Sequence, residues 1–273
     1  MREIIDHFFE NGWVVVDLID PRPVWEARKI LQEQLRQISN RNISLEAYHE
    51  IAEDDAFHTQ MQIQMTAFFR REKLARRVFE KQVSFFNQLV GLDLLIQANP
   101  YLRMTRPGKK QDNVGYHRDT FYGGSPYEIS VILPFVDCDS KMTLKVMSGS
   151  HILSEKLFPV VQEKSDIAKG SEKHKLGFLY APKLMDPSVE EKMQPVPVKV
   201  GQIFMFSLST VHGCVVNQGQ RTRWSSDVRV VNALAPVSFK DRPDYYEPFS
   251  SSCVTEAAKR YLQENMLETV GAI

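Results

Sequence analysis

Short stretches of alternating apolar and polar residues, separated by turn sequences, fill the middle of this 273-residue chain. In the segment PYEISVILPFV, apolar side chains occupy every second position from Tyr127 to Phe135, which is the period of a strand with one buried face. The same texture recurs at 142–147, 196–206 and 221–233, and 92–104 is also extended. Many short strands with turns between them, such as the polar turn at 217–220, indicate a β-sandwich or a barrel.

The first 91 residues have the pattern of amphipathic helices instead. Apolar residues recur at spacings of three and four, so that they share one face of a helix. After a short strand at 12–19, helices are predicted at about 24–38, 54–69 and 73–90, and a last helix at about 255–267. We therefore expect a single domain over 1–273, with helical support at 1–91, the strand-rich core at 92–235 and a C-terminal tail with a helix at 236–273.

The stretch from about 154 to 195 interrupts the strand pattern. It is rich in Lys, Glu and Ser, contains prolines at 159, 182 and 187, and has no steady period. A loop of this length is typical of a lid or binding loop. A surface excursion without a role in the site is an equal alternative.

The composition narrows the range of partners. Lys and Arg number 34, as do Asp and Glu, so no overall charge attracts the chain to nucleic acid or to anionic lipid. No apolar stretch approaches the ~18 residues of a membrane span, and the charged N-terminus does not resemble a signal peptide. We expect a soluble, cytoplasmic protein with a small-molecule substrate and three free cysteines, Cys138, Cys214 and Cys253. The oligomeric state is not readable from the sequence.

Three residues form a candidate metal site. In His117-Arg118-Asp119 the two possible ligands stand at i and i+2, so on a strand they project from the same face. This motif alone is weak, but His212 follows a predicted apolar strand much later in the chain. Two histidines and one carboxylate make the facial triad that binds Fe(II) and leaves one face open for substrate and dioxygen.

A cationic residue lies eleven positions beyond the second histidine. Arg223 and Ser225 present a guanidinium and a hydroxyl on one face of a predicted strand, which suits a bidentate grip on a carboxylate. An iron chelator with a remote carboxylate is implied. Arg221 and Arg229 share the parity of Arg223 along the strand, and either would take its place if the register differed.

Two further stretches carry a family resemblance. The segment 147–151 (MSGSH) is similar to a Pro-Gly-Ser-His signature, with Ser148 where proline is usual, and the strands at 198–206 lead through a Gly-Gln turn to Val211-His212-Gly213. In order and spacing, residues 92–235 resemble the phytanoyl-CoA dioxygenase family of Fe(II)- and 2-oxoglutarate-dependent oxygenases.

The resemblance implies a double-stranded β-helix, that is, a cupin-like jelly roll braced by helices. It implies that His117, Asp119 and His212 hold Fe(II) as the catalytic centre, while Arg223 and Ser225 bind the far carboxylate of 2-oxoglutarate. Dioxygen would be the second co-substrate. The family reaction releases succinate and CO2 and usually hydroxylates the prime substrate, here a small metabolite or a carrier-linked or sugar-like group. Related halogenases have a small residue in place of the carboxylate ligand, so Asp119 disfavours halogenation.

Two other functions are compatible with such a fold. One is a cupin-type metalloenzyme that does not use 2-oxoglutarate, against which Arg223 argues. The other is a non-catalytic jelly-roll binding or sensor module, against which the intact ligand set argues. Outside the triad, Arg118 is predicted either to contact the substrate or to form a surface salt bridge, and His58 is predicted to lie at the surface.

Overall fold

A computed structural model describes residues 1–161, 183–184, 186–236 and 244–269 of the chain. Most of the insertion predicted at 154–195 therefore lies outside the described residues, as do parts of the tail predicted at 236–273. The described residues form six α-helices: α1 Arg2–Asn11, α2 Arg22–Ser39, α3 Asp55–Arg71, α4 Leu74–Phe79, α5 Val83–Leu89 and α6 Cys253–Thr269. None of these helices is long and apolar enough to cross a membrane.

Apart from β1, the strands lie beyond residue 91, as predicted. They are β1 Trp13–Asp17, β2 Leu94–Gln97, β3 Tyr101–Thr105, β4 Glu128–Pro134, β5 Lys145–Val146, β6 Val160–Val161, β7 Lys183–Leu184, β8 Gln194–Pro195, β9 Gln202–Ser207, β10 His212–Gly213, β11 Arg223–Asn232 and β12 Tyr246–Ser250. The stretch predicted as extended at 92–104 is two strands, and the run at 142–147 is regular strand only over β5.

One large antiparallel sheet dominates the fold. Its strands follow the order β1-β9-β4-β11-β2-β12, and β3 also pairs with β11. A second, smaller sheet has the order β10-β5-β8, and β6 and β7 form a separate pair. Strands that are adjacent in the large sheet are far apart in sequence. This is the arrangement of a sandwich whose chain crosses repeatedly between sheets.

The long central strand β11 separates the core from the cavity. Its alternate residues Trp224, Val228 and Val230 are fully buried, and the Trp224 indole donates a 2.7 Å hydrogen bond to the carbonyl of Leu45, in the segment after α2. Because successive side chains of a strand point to opposite faces, the intervening polar residues point the other way. They line a cavity that is open to solvent.

The helical layer differs from the prediction at two places, of which the first is α1, a helix that the sequence analysis did not predict. The helix predicted at 73–90 is divided into α4 and α5 by a 3₁₀ turn at Glu80–Gln82. Gln82 is almost fully buried, and its side-chain oxygen accepts a 2.7 Å hydrogen bond from the backbone N–H of Ile19. This long-range hydrogen bond stabilises the turn. The spacing of apolar residues does not reveal it, so the break in the helix could not be predicted from the sequence.

Candidate metal centre

The backbones of the two predicted histidine ligands are directly paired. His117 and His212 form an antiparallel bridge in which each N–H donates to the other's carbonyl at 2.9 Å. Their ring centroids are 4.4 Å apart. Residues 117 and 212 are far apart in sequence, but this pairing places their imidazoles side by side.

A glycine beside this pair allows the close approach. Gly213 has φ of 150°, and a Cβ at this position would lie 2.5 Å from the carbonyl oxygen of Gly115. Only a residue without a side chain fits both the conformation and the space. The strand containing His212 can therefore contact the segment before His117.

The carboxylate joins the histidines because the chain between them is extended. Arg118 has φ of −114° and ψ of 143°, and Asp119 then begins a 3₁₀ turn, where its N–H donates to the Leu208 carbonyl at 3.0 Å. Asp119 Oδ1 lies 3.4 Å from His117 Nε2 and 3.8 Å from His212 Nε2. One donor atom from each of the three residues lies within 4.8 Å of the others, and all three residues are buried.

Both imidazoles are oriented by hydrogen bonds on their far side. His117 Nδ1 lies 2.7 Å from the Gly115 carbonyl, and His212 Nδ1 lies 2.9 Å from the Thr210 carbonyl. A carbonyl only accepts, so each Nδ1 carries the proton and each Nε2 lone pair is directed at the common point. Two such nitrogens and one carboxylate oxygen are a donor set that fits a divalent transition metal such as Fe(II).

The charges at the centre favour the forms that bind metals. Burial raises the pKa of Asp119, but the Arg229 guanidinium and the two imidazoles lower it by more, so the net shift of this pKa is downward. Burial, together with the nearby His117 ring, lowers the pKa of His212 to about 4. At neutral pH the carboxylate is therefore ionised and the His212 ring is neutral.

The triad borders the open cavity, together with residues of both sheets. The Arg223 and Ser225 side chains line the same cavity from strand β11, and so do Asp227 and Arg229. The structure thus brings all five residues predicted for the site to one cavity.

Arg221, Arg223 and Arg229, which lie an even number of residues apart along the predicted strand, have different environments. Arg223 is 6% exposed, its Nη1 donates to the Met142 carbonyl at 3.3 Å, and its buried Nε has no hydrogen-bond partner among the described residues. Arg221 is half-exposed, and its Nη2 lies 3.5 Å from Asp139 Oδ2. Arg229 is paired with Asp119.

Outside the triad, the surface position predicted for His58 and the surface alternative for Arg118 are wrong. Arg118 does not form a surface salt bridge: it is fully buried, with its guanidinium 4.3 Å from the centroid of the Phe158 ring. His58 is also buried, with Nε2 3.6 Å from Asp112 Oδ1. Arg118 stands between two polar residues and His58 in a helical segment of mixed character, so the sequence did not show that either side chain turns inward.

Comparison with known proteins places the fold. No protein-family model matches this chain, and no curated protein sequence matches it significantly. Among solved structures, the non-heme monooxygenase ThoJ in its apo form is 15% identical, with a TM-score of 0.53 over 90% of this chain and 80% of that chain. EvdO2 from Micromonospora carbonacea var. aurantiaca is 12% identical, with a TM-score of 0.54 over 87% of this chain and 94% of that chain.

A third similar structure is the epimerase SnoN in complex with Fe3+, alpha ketoglutarate and nogalamycin RO. It is 16% identical, with a TM-score of 0.52 over 85% of this chain and 83% of that chain. At identities this low the likeness concerns the fold. The predicted fold class, a jelly roll with flanking helices, is confirmed.

Proposed function

We propose that the chain is a non-heme Fe(II)- and 2-oxoglutarate-dependent oxygenase that hydroxylates a small molecule. The prime substrate, 2-oxoglutarate and dioxygen would give the hydroxylated product, succinate and CO2, so that one oxygen atom enters the product and the other enters succinate. The observation that carries the proposal is the buried group of His117, Asp119 and His212, whose donor atoms lie within 4.8 Å of one another beside the cavity.

Arg223 is the residue that favours 2-oxoglutarate over other metal ligands. A buried guanidinium nitrogen without an acceptor is costly, and a carboxylate is its best partner. Arg223 Nε has this character and belongs to a residue lining the same cavity as the triad. Ser225, two residues along the same strand face, would add a hydroxyl donor. The rival cupin-type enzyme has no use for such an anchor.

In this function the protein orients the reactants and excludes water. His117, Asp119 and His212 would hold Fe(II), which supplies the oxidative chemistry when bound. The carbonyls of Gly115 and Thr210 keep both Nε2 lone pairs directed at the metal position. Arg223 and Ser225 would fix the distal carboxylate, so that the 2-oxo acid end is directed back at the triad.

The similar structures support the cofactors but leave the reaction outcome open. SnoN was solved with Fe3+ and alpha ketoglutarate, and EvdO2 was solved with 2-oxoglutarate. ThoJ is described as a monooxygenase and SnoN as an epimerase. Hydroxylation and membership of the phytanoyl-CoA dioxygenase family therefore belong to the proposal, which rests on the motifs at 147–151 and 198–213.

Turnover distinguishes the candidate functions. Anaerobic addition of Fe(II) and 2-oxoglutarate to the purified protein should give a weak visible charge-transfer band, and oxygen should then yield succinate, slowly even without a prime substrate. His117→Ala should lose both signals. Metal binding without 2-oxoglutarate binding would favour the cupin-type enzyme. Binding of both without succinate would favour the sensor module.

A further inference from the structure

We propose that Arg229 is a positioning residue that makes Asp119 a ligand through one oxygen only. This inference rests on the metal site of the proposed function and concerns what holds one of its three ligands. The sequence placed Arg229 on the correct strand face but gave it no role beyond that of an alternative carboxylate anchor.

The two oxygens of Asp119 face different partners. Oδ1 is the atom that lies 3.4 and 3.8 Å from the Nε2 atoms of the two histidines. Oδ2 forms an ion pair with Arg229 Nη2. A carboxylate can bind a metal through one oxygen or through both, and a cation paired with one oxygen leaves the other for the metal. The ion pair therefore assigns Oδ1 to the metal.

Arg229 is itself held in place by hydrogen bonds to two other strands. Its Nη1 donates to the hydroxyl of Ser130 on β4, and its backbone N–H donates to Gln97 Oε1 on β2 at 3.1 Å. Asp227 lies on the same face of β11 and is paired with Arg103 at 3.0 Å. The Arg229 side chain is only 12% exposed. Ser130 thus holds the guanidinium and Gln97 holds the backbone of Arg229, and the guanidinium in turn positions the carboxylate.

The loss of Arg229 should weaken 2-oxoglutarate binding for two reasons. The positive charge of Arg229 offsets the negative charge of Asp119, so the metal-loaded site attracts an anionic co-substrate more strongly with Arg229 than without it. A freed second oxygen of Asp119 would also compete for positions that the triad otherwise leaves open. The two effects act in the same direction on 2-oxoglutarate affinity, which makes that affinity the informative measurement.

The test uses protein loaded with Co(II) under anaerobic conditions, so that no turnover occurs. Calorimetric titration with 2-oxoglutarate should show binding about 10- to 100-fold weaker in Arg229→Gln than in the wild type, the usual effect of removing a partner of a metal ligand. Arg229→Lys, which keeps the charge and one donor, should be intermediate. Arg221→Gln changes a half-exposed arginine outside β11 and should match the wild type.

The Co(II) spectrum recorded before 2-oxoglutarate is added gives a second readout, because an added oxygen ligand alters the visible bands. A changed spectrum in Arg229→Gln supports the positioning role. A wild-type spectrum together with wild-type 2-oxoglutarate affinity in Arg229→Gln would overturn it. A wild-type spectrum in both variants, with Arg229→Lys binding 2-oxoglutarate as weakly as Arg229→Gln, would also overturn it, because that result is expected if Arg229 binds the co-substrate directly. If Arg229→Gln does not fold, wild-type spectrum and affinity in Arg229→Lys would overturn the inference. A wild-type protein that binds no 2-oxoglutarate would instead refute the proposed function.

Discussion

His117 and His212 are joined by two backbone hydrogen bonds of 2.9 Å each, although the chain between them contains most of the strand core. The candidate metal centre is therefore built on a strand pairing and not on a flexible loop. Because backbone geometry fixes both Cα positions, the ligand arrangement depends on how closely the two segments can approach. Gly213 and Gly115 determine that distance.

Replacing Gly213 with alanine should damage the metal centre more than the fold as a whole. The added Cβ would meet the Gly115 carbonyl at 2.5 Å, and alanine is strained at φ of 150°. We expect the two segments to separate and Co(II) affinity to fall at least about tenfold, as measured by competition with a chelator.

Gly108→Ala is the matched control. Gly108 also has positive φ, 72°, but a Cβ there would meet nothing within 4 Å. It should lose about 1 kcal/mol of unfolding free energy and keep its metal affinity. Equal metal affinity in the two variants would show that the close approach of Gly213 to Gly115 does not matter.

Replacing Arg223 with alanine should weaken 2-oxoglutarate binding without weakening metal binding. A charge-assisted hydrogen bond contributes roughly 1.5 to 3 kcal/mol, which corresponds to about 10- to 100-fold in affinity. Titration of the Co(II) protein with 2-oxoglutarate measures this directly. Arg221→Ala should be neutral, and the anchor assignment fails if the two variants bind alike.

The sequence was sufficient to predict which three residues form the candidate metal centre and which strand face lines the cavity. His117 and Asp119 are related by local geometry, and the polar residues of β11 are related by a period of two. The role of Arg229 could not be predicted in this way. Arg221, Arg223 and Arg229 are an even number of residues apart, so the alternation places all three on the same strand face. The pairing of Arg229 with Ser130 on β4 decides it, and that register arises from long-range contacts.

The same limit explains the residues that were placed wrongly. His58 and Arg118 are polar residues that lie in the interior. Their burial depends on partners far away in sequence, namely Asp112 for His58 and the Ser150 carbonyl for Arg118. Periodicity predicts which face of a helix or strand is apolar, but it does not predict which polar side chains find such partners.

Replacing Trp224 with phenylalanine should destabilise the fold and spare the site. The Trp224 ring is fully buried, and its loss would leave the Leu45 carbonyl without the 2.7 Å hydrogen bond. We expect a decrease of about 2 to 4 kcal/mol in unfolding free energy, measured by denaturant titration. Co(II) affinity should stay unchanged because the indole faces away from the cavity. Trp25→Phe, at a ring 46% exposed, should have little effect on either quantity.

The stability of the metal-free protein should fall between pH 7 and pH 5, partly through His58. Burial lowers the pKa of His58 from 6.5 to about 4, against the opposing attraction of Asp112. Arg106 and Asp55 are the other charged groups facing the ring, and Tyr48 lies within hydrogen-bond distance of its Nδ1. The unfolded chain takes up a proton below about pH 6.5, while the folded protein resists doing so until about pH 4.

The stabilising effect of the neutral ring is therefore complete above pH 6.5 and is lost as the pH falls towards 4. At pH 5 the expected loss from His58 is about 2 kcal/mol. Denaturant titrations at pH 7 and pH 5 measure it as the difference between the wild type and His58→Gln, which should depend less on pH. His7→Gln, at an exposed position, should retain the wild-type dependence, and an equal dependence in all three proteins would contradict the assignment to His58.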